Sequence, residues 1–254
     1  MGRLENKVCL ITGGNSGIGE CTAKLFAREG AKVIITARRE GELQRVANEI
    51  LAEGGDCLWF AGDVTVQEDV DRVVASTIDA YGRIDVLVNN AGIPDKHTRT
   101  VWVTDELWES VYAVNITGCM RMCRAVLPHM EKVGCGSIVN VASIGGVYGC
   151  AGATYSSAKA ALLGLTKNIA QQYFHTHIRC NSVSPGSTLT PLFDPKNFEG
   201  ADVEMQEITK RRHYHERDTI LQPIEQANAI LFFASDESSG INGQDLVVDY
   251  GNRL

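Results

Sequence analysis

Short, almost uninterrupted apolar runs that alternate with longer segments of helical period restrict the fold of this chain most. The runs VCLI, VIIT, VLV and SIVNV are apolar at nearly every position. A strand with one wet face would alternate instead, so continuous runs indicate parallel strands covered on both sides by helices. The period predicts strands at Val8–Thr12, Lys32–Thr36, Cys57–Phe60, Val86–Asn89, Ser137–Val141, Arg179–Val183 and Asp245–Val248. Between them it predicts helices at Glu20–Arg28, Glu40–Glu53, Val66–Tyr81, Tyr155–Tyr173 and Pro223–Ala234, with one long helix or two in Asp105–Met130. Strand–helix alternation of this length implies right-handed βαβ units and an open, doubly wound α/β sheet of Rossmann type. Residues 1–254 suit one such domain. Ser187–Gln222 breaks the rhythm. It is long, polar and charged, reads as a loop without a strand, and has the length of a substrate loop.

Composition removes several classes. No apolar run approaches the roughly 18 residues that would span a bilayer, so no membrane association is expected. MGRLENKVCLITGG enters the first strand without the apolar core of a signal peptide, which suggests a cytoplasmic protein. A net charge of −7 argues against a nucleic-acid partner. The eight cysteines (Cys9, Cys21, Cys57, Cys119, Cys123, Cys135, Cys150 and Cys180) then read as reduced, packed thiols. No C-x-x-C pair exists, and no metal site is expected. Cys150 is the thiol nearest the loops that carry chemistry.

The first strand runs into Thr12-Gly13-Gly14-Asn15-Ser16-Gly17-Ile18-Gly19. Such a turn lets the backbone approach a pyrophosphate and presents the free N–H groups of the next helix to it. No Gly-Lys-Ser/Thr follows, so a nucleoside-triphosphate loop is not supported. After the second strand, Ala37 holds the position where a carboxylate would read a ribose 2′-hydroxyl. Arg38 and Arg39 follow at once. Guanidinium groups there suit a 2′-phosphate, so NADP(H) is expected over NAD(H).

Tyr155 and Lys159 lie four residues apart, on one face of a predicted helix. A tyrosine has a pKa near ~10 and is a poor base at neutral pH, whereas a nearby ammonium favours its phenolate. Tyr155 is thereby suited to general acid–base work. Ser143 falls just beyond the fifth strand, at the carboxyl edge where parallel sheets gather their sites. A hydroxyl there either orients a substrate carbonyl or caps a helix.

With these residues in view, the chain resembles a classical short-chain dehydrogenase/reductase over essentially its whole length. The resemblance rests on TGGNSGIG at 12–19, GDVT at 62–65, NNAG at 89–92, VNITG at 114–118, SIVNVAS at 137–143, YSSAK at 155–159 and NSVSPGSTLT at 181–190. It implies a catalytic tetrad of Asn115, Ser143, Tyr155 and Lys159, with Asn115 at a local helix distortion. It implies that Lys159 also holds the nicotinamide ribose and that Gly13, Asn15, Ser16, Gly17, Ile18 and Gly19 surround the phosphates. Asp63 and Val64 would flank the adenine and Asn90 the cofactor, with Pro185, Gly186, Thr188 and Thr190 around the nicotinamide. The implied reaction interconverts a small-molecule secondary alcohol and its ketone. The implied assembly is a homotetramer, although Val248-Asp249-Tyr250-Gly251 departs from the family's V-D-G-G.

The substrate is less legible. PHMEKVGCGSIVNVASIGG and NIAQQYFHTHIRCNSVSPG are similar to bacterial hydroxysteroid (bile-acid) dehydrogenases, which makes a hydroxysteroid or a comparable bulky alicyclic alcohol the leading expectation. A 3-oxoacyl-carrier-protein reductase and a sugar or polyol dehydrogenase are the alternatives. A non-catalytic cofactor sensor is remote, because such scaffolds typically lose the Tyr or the Lys. Ile93, Val147 and Tyr148 are expected around the substrate, with Leu192, Phe193, Phe198, Met205 and Ile208 covering it. Lys210-Arg211-Arg212, with His213 and His215 flanking Tyr214, either recognises a carboxylate or forms a solvated helix face.

Overall fold

In the computed structural model, which describes residues 2–193, 199–213 and 219–253, seven parallel strands form one sheet. They are β1 (Val8–Thr12), β2 (Lys32–Ala37), β3 (Asp56–Ala61), β4 (Val86–Asn89), β5 (Cys135–Val141), β6 (His177–Pro185) and β7 (Asp245–Val248). Their spatial order is β3-β2-β1-β4-β5-β6-β7. All seven lie within two residues of the predicted positions.

The apolar runs are continuous because both faces of each strand are buried. Cys9 and Ile11 of β1 point into one apolar cluster, Val8 and Leu10 into the other. The first cluster is closed by α1 (Gly17–Arg28), α2 (Glu40–Ala52) and α9 (Pro223–Ala234), through Phe26, Val46 and Ile230 among others. The second is closed by α3 (Gln67–Tyr81), α5 (Cys119–Val133) and α7 (Ala153–Gln172), through Val73, Met122 and Leu162. The chain reverses its winding between β1 and β4. Connections leave in opposite directions there, and a crevice opens at the carboxyl ends of the strands.

Three features differ from expectation. Asp105–Met130 is neither one helix nor two simple ones, and the interruption falls at Asn115, where the family resemblance implied a helix distortion. The chain runs as α4 (Asp105–Tyr112), then a π-helical turn at Ala113–Gly118, then α5. Two further helices form, α6 (Ile144–Tyr148) and α8 (Val203–His213). The second of these lies inside the segment expected to be a loop. The ends of that segment are pinned together: the Leu189 N–H donates to the Leu221 carbonyl at 2.8 Å, and the Leu221 N–H to the Ser187 carbonyl at 2.9 Å. The excursion therefore leaves the sheet edge through a closed base.

Candidate active site

A cleft of about 640 Å³ opens over the switch point. This is an ordinary size for a small-molecule site. One end is built by the β1–α1 turn. Ser16 precedes α1 in an extended conformation, and the free N–H groups of the first turn face the cleft. Gly17 has φ +56°, which side-chain-bearing residues avoid. Gly19 is required by close approach, since an added Cβ would lie 2.2 Å from the Gly13 carbonyl oxygen. Asn90 closes the turn from β4, donating from Nδ2 to the Thr12 and Gly13 carbonyls at 3.1 Å each. The result is a glycine cradle with backbone donors, the surface that a dinucleotide pyrophosphate fits. Gly13, Asn15, Ser16, Gly17, Ile18 and Asn90 line it, while Gly19 supports it from behind.

The cationic pair lies beside this cradle. Arg39 donates to Ser16 Oγ at 3.3 Å. With the Asn15 amide oxygen turned toward it, Arg39 also donates there at 2.8 and 3.1 Å. The Arg38 side chain is 67% exposed and stands 3.9 Å from Asp63. Asp63 accepts from the N–H and hydroxyl of Thr65, both at 2.8 Å, which fixes the floor where Val64 also lies.

At the other end of the cleft, α7 presents Tyr155 and Lys159 side by side. Lys159 Nζ lies 5.8 Å from the Tyr155 ring centre and donates to the Val141 carbonyl at 2.7 Å. Lys159 is only 3% exposed. Burial pushes its pKa down from 10.5 to about 8, so most of it stays protonated at neutral pH. Of the two readings open to Ser143, the helix cap is the one its hydrogen bond shows. Its Oγ accepts the Gly145 N–H at 3.0 Å and caps α6, while the residue also lines the cleft. Asn115 sits in the π-helical turn and does not line the cleft. Its amide pairs twice with the main chain of Ile93, accepting at 2.8 Å and donating at 2.9 Å. The turn is held open by a side chain whose partner is 22 residues away. Pro185, Gly186, Thr188 and Thr190 complete the wall.

The expected substrate residues divide. Ile93 and Leu192 line the cleft. Val147 and Tyr148 do not, because α6 turns Gly146 onto α7 and leaves both side chains more than a third exposed. Met205 and Ile208 of α8 also lie off the cleft wall. The side chains of Phe193, Phe198, Arg212, His213, Tyr214 and His215 fall outside the described residues. Cys150 does line the cleft, buried, and burial pushes its thiol up and away from reactivity.

Sequence reasoning missed Asp95 and His97, which enter the cleft from the loop after β4. The available signal was their place just beyond a parallel strand's carboxyl end. It also missed the tie between that loop and α8. Arg99 Nε donates to Asp202 at 2.7 Å, Arg99 also pairs with Glu204, and Asp202 Oδ1 accepts the Met205 N–H at the start of α8. Among the described residues no helix is long and apolar enough to cross a membrane, and no cluster of three or more His, Cys, Asp or Glu could hold a metal.

Comparison with known proteins agrees with this geometry. The family model described as Enoyl-(Acyl carrier protein) reductase matches residues 13–253. A 3-oxoacyl-[acyl-carrier-protein] reductase of Thermotoga maritima is 40% identical over 98% of both chains. A 2,5-dichloro-2,5-cyclohexadiene-1,4-diol dehydrogenase of Sphingobium indicum is 36% identical over 98% of this chain and 97% of its own. The crystal structure of a Brucella melitensis 3-ketoacyl-(acyl-carrier-protein) reductase complexed with NADH superposes with a TM-score of 0.87. It is 35% identical, covering 99% of this chain and all of the other. None of these three carries a steroid in its name, and two are carrier-protein reductases. The chain is a nicotinamide-dependent oxidoreductase and belongs to the classical short-chain dehydrogenase/reductase family.

Proposed function

We propose that this enzyme interconverts a 3-oxoacyl thioester and its 3-hydroxy form, with NADP(H) preferred over NAD(H). The observation that carries the reaction class is the buried ammonium of Lys159 beside the Tyr155 ring, at the foot of one cleft. The substrate reading rests on the relatives that act on 3-oxoacyl carrier proteins. It replaces the hydroxysteroid expectation, to which those relatives lend nothing.

The bound nicotinamide supplies or takes up a hydride. The chain supplies everything else. The Ser143 hydroxyl donates to the substrate carbonyl and turns it toward Tyr155. Tyr155 gives its phenolic proton to the carbonyl oxygen as that oxygen gains charge, and takes a proton from the alcohol in the reverse direction. Charged Lys159 stabilises the phenolate that remains. Asn115 holds the Ile93 backbone and thereby the cleft wall. Arg38 and Arg39 would hold the 2′-phosphate, and Asp63 and Val64 would border the adenine. Assembly as a homotetramer belongs to the same proposal and is checked by light scattering.

One observation favours a second substrate class. The Sphingobium relative acts, by its name, on a ring diol, and Ile93, Ile144 and Leu192 offer this cleft apolar walls. A coupled NADPH panel of acetoacetyl thioesters, cyclic ketones, oxo-bile acids and ketoses separates the readings. Turnover of the thioesters is expected. Turnover confined to cyclic ketones would replace the first reading with the second. Tyr155→Phe should bind NADPH and lose turnover, and near-wild-type kcat in that variant would defeat the mechanism.

A further inference from the structure

Asp95 lies outside the four residues assigned to the chemistry, yet it is 1% exposed and its carboxylate is fully engaged. One oxygen accepts the Tyr155 N–H at 2.8 Å. The other accepts the His97 N–H at 3.1 Å. The Thr154 N–H is also directed at the carboxylate. The Asp95 main-chain carbonyl accepts from the N–H and hydroxyl of Thr98, at 3.2 and 2.6 Å. The Thr98 carbonyl in turn accepts the Ala153 N–H at 2.9 Å. The loop after β4 is therefore stitched to the first turn of α7 at two levels.

The N–H groups of a helix's first turn have no partner inside the helix. A side chain at the N-cap normally satisfies one of them, but the residue before α7 is Gly152. Asp95 does this from 60 residues away and sets negative charge at the positive end of the helix dipole. Gly152 has φ −65° and ψ 164°, a conformation open to any residue. An added Cβ would nevertheless lie 2.3 Å from both Asp95 carboxylate oxygens. The glycine is thus required by the carboxylate rather than by the turn. Lys96 and His97 have φ of +56° and +54°, a strained pair of non-glycine residues. The Asp95 hydrogen bonds span that pair and hold it in place.

We propose that Asp95 is a positioning residue for Tyr155. It fixes the height and rotation of the first turn of α7, so that the phenol meets the substrate oxygen in line with Lys159. This rests on the reading of Tyr155 as the proton donor. A misplacement of about 1 Å costs on the order of 100-fold in rate. Asp95→Asn keeps the side-chain shape but offers one acceptor oxygen to N–H groups that now use two. Gly152→Ala leaves Asp95 in the chain and displaces its carboxylate. The two substitutions attack one contact from opposite sides.

The test measures kcat, NADPH affinity by fluorescence, and the primary isotope effect with 4-deuterated NADPH, on the most active ketone of the panel. Each single variant should lose about 10- to 100-fold in kcat. NADPH Kd should stay within about twofold. The isotope effect on kcat should rise, because the chemical step becomes slower while bound cofactor is unchanged. The double variant should be no slower than the slower single, since both remove the same contact. Unchanged kcat in Asp95→Asn would overturn the proposal. So would a lower kcat with an unchanged isotope effect, which reports fewer active molecules rather than a misplaced phenol. Tyr155→Phe serves as the separate control: if it retains turnover, the proton-transfer reading fails instead.

Discussion

Lys159 gives the sharpest quantitative prediction, because its function and its effect on stability have opposite signs. In the unfolded chain its ammonium titrates near 10.5, and in the folded apoenzyme near 8. Between those values the unfolded chain binds the extra proton. Stability therefore rises with pH across that window and carries the full penalty below pH 8. Two and a half units correspond to about 3 kcal/mol at neutral pH. The hydrogen bond to the Val141 carbonyl offsets on the order of 1–2 kcal/mol of this. Lys159→Met should thus abolish turnover and still make the apoenzyme more stable at pH 7, by roughly 1–2 kcal/mol. Between pH 7 and pH 10 the wild type should gain about 2 kcal/mol on the variant, which removes that advantage or reverses it. Paired urea melts of the wild type and the variant at pH 7, 8, 9 and 10 read this directly. Titrating groups remote from Lys159 cancel in the difference, and the urea midpoints should move relative to each other by roughly 0.7–1 M. A stability difference that does not change with pH would refute the reasoning, since a buried charge is the only part of the argument that titrates there.

Other consequences concern the cofactor end of the cleft and the tie between the loop after β4 and α8. Gly19→Ala drives a Cβ into the Gly13 carbonyl, so it should abolish NADPH binding by fluorescence titration and destabilise the fold by about 1–3 kcal/mol. Replacing Arg38 and Arg39 together with alanine should weaken NADPH about 10- to 100-fold and leave NADH nearly unchanged; equal losses for both would remove the 2′-phosphate assignment. Asp202→Ala removes the cap of α8 and its tie to Arg99, so KM should rise several-fold on the order of 1 kcal/mol while kcat holds in steady-state assays.

What could be read in advance follows the range of the interactions involved. The strands were visible because their burial is written into consecutive residues, and the β1–α1 turn because glycine is the only residue its close approach admits. Tyr155 and Lys159 were visible because one helical turn brings them together. The α8 helix was not, since VEMQEITKRRH carries charge around most of its circumference. Its start is specified by Asp202, which is itself held by Arg99, about a hundred residues earlier in the chain. The π-helical turn depends on Asn115 reaching Ile93, and the hold on Tyr155 depends on Asp95. Each is a hydrogen bond across the fold that no local period reports. The substrate is hardest, because its part of the cleft wall is built by Ile144 and Gly145 of α6 and by residues 187–192, whose placement is set by such contacts.

The sheet beneath the cleft shows how the same residues serve both fold and site. At one level of the sheet, Thr36, Thr12, Asn89, Asn140, Ser182 and Asp245 stand side by side on six adjacent strands. On β2, β1 and β4 the polar residue closes an apolar stretch, and two residues before the row the same face carries Ile34, Leu10, Leu87, Ile138 and Cys180 of the second cluster. The row is knitted together. Asn89 donates to Asn140 at 2.9 Å, Asn140 to Thr166 of α7 at 2.9 Å, and Ser182 to Asp245 at 2.7 Å. Thr12 Oγ1 accepts the N–H groups of Asn90 and Ala91, which places the loop leading to Asp95. Slipping β1, β4, β5, β6 or β7 by a residue would set its polar member against the other face and leave its partners unsatisfied in the interior. Each such orphan costs about 1–3 kcal/mol, and a one-residue slip also exchanges the strand's two faces. The polar row therefore fixes the register of the sheet. By fixing register it also sets the height of Val141, one residue beyond Asn140, whose carbonyl receives Lys159. Along β1, β2 and β4, where the core ends is thus the same decision as where the active site begins.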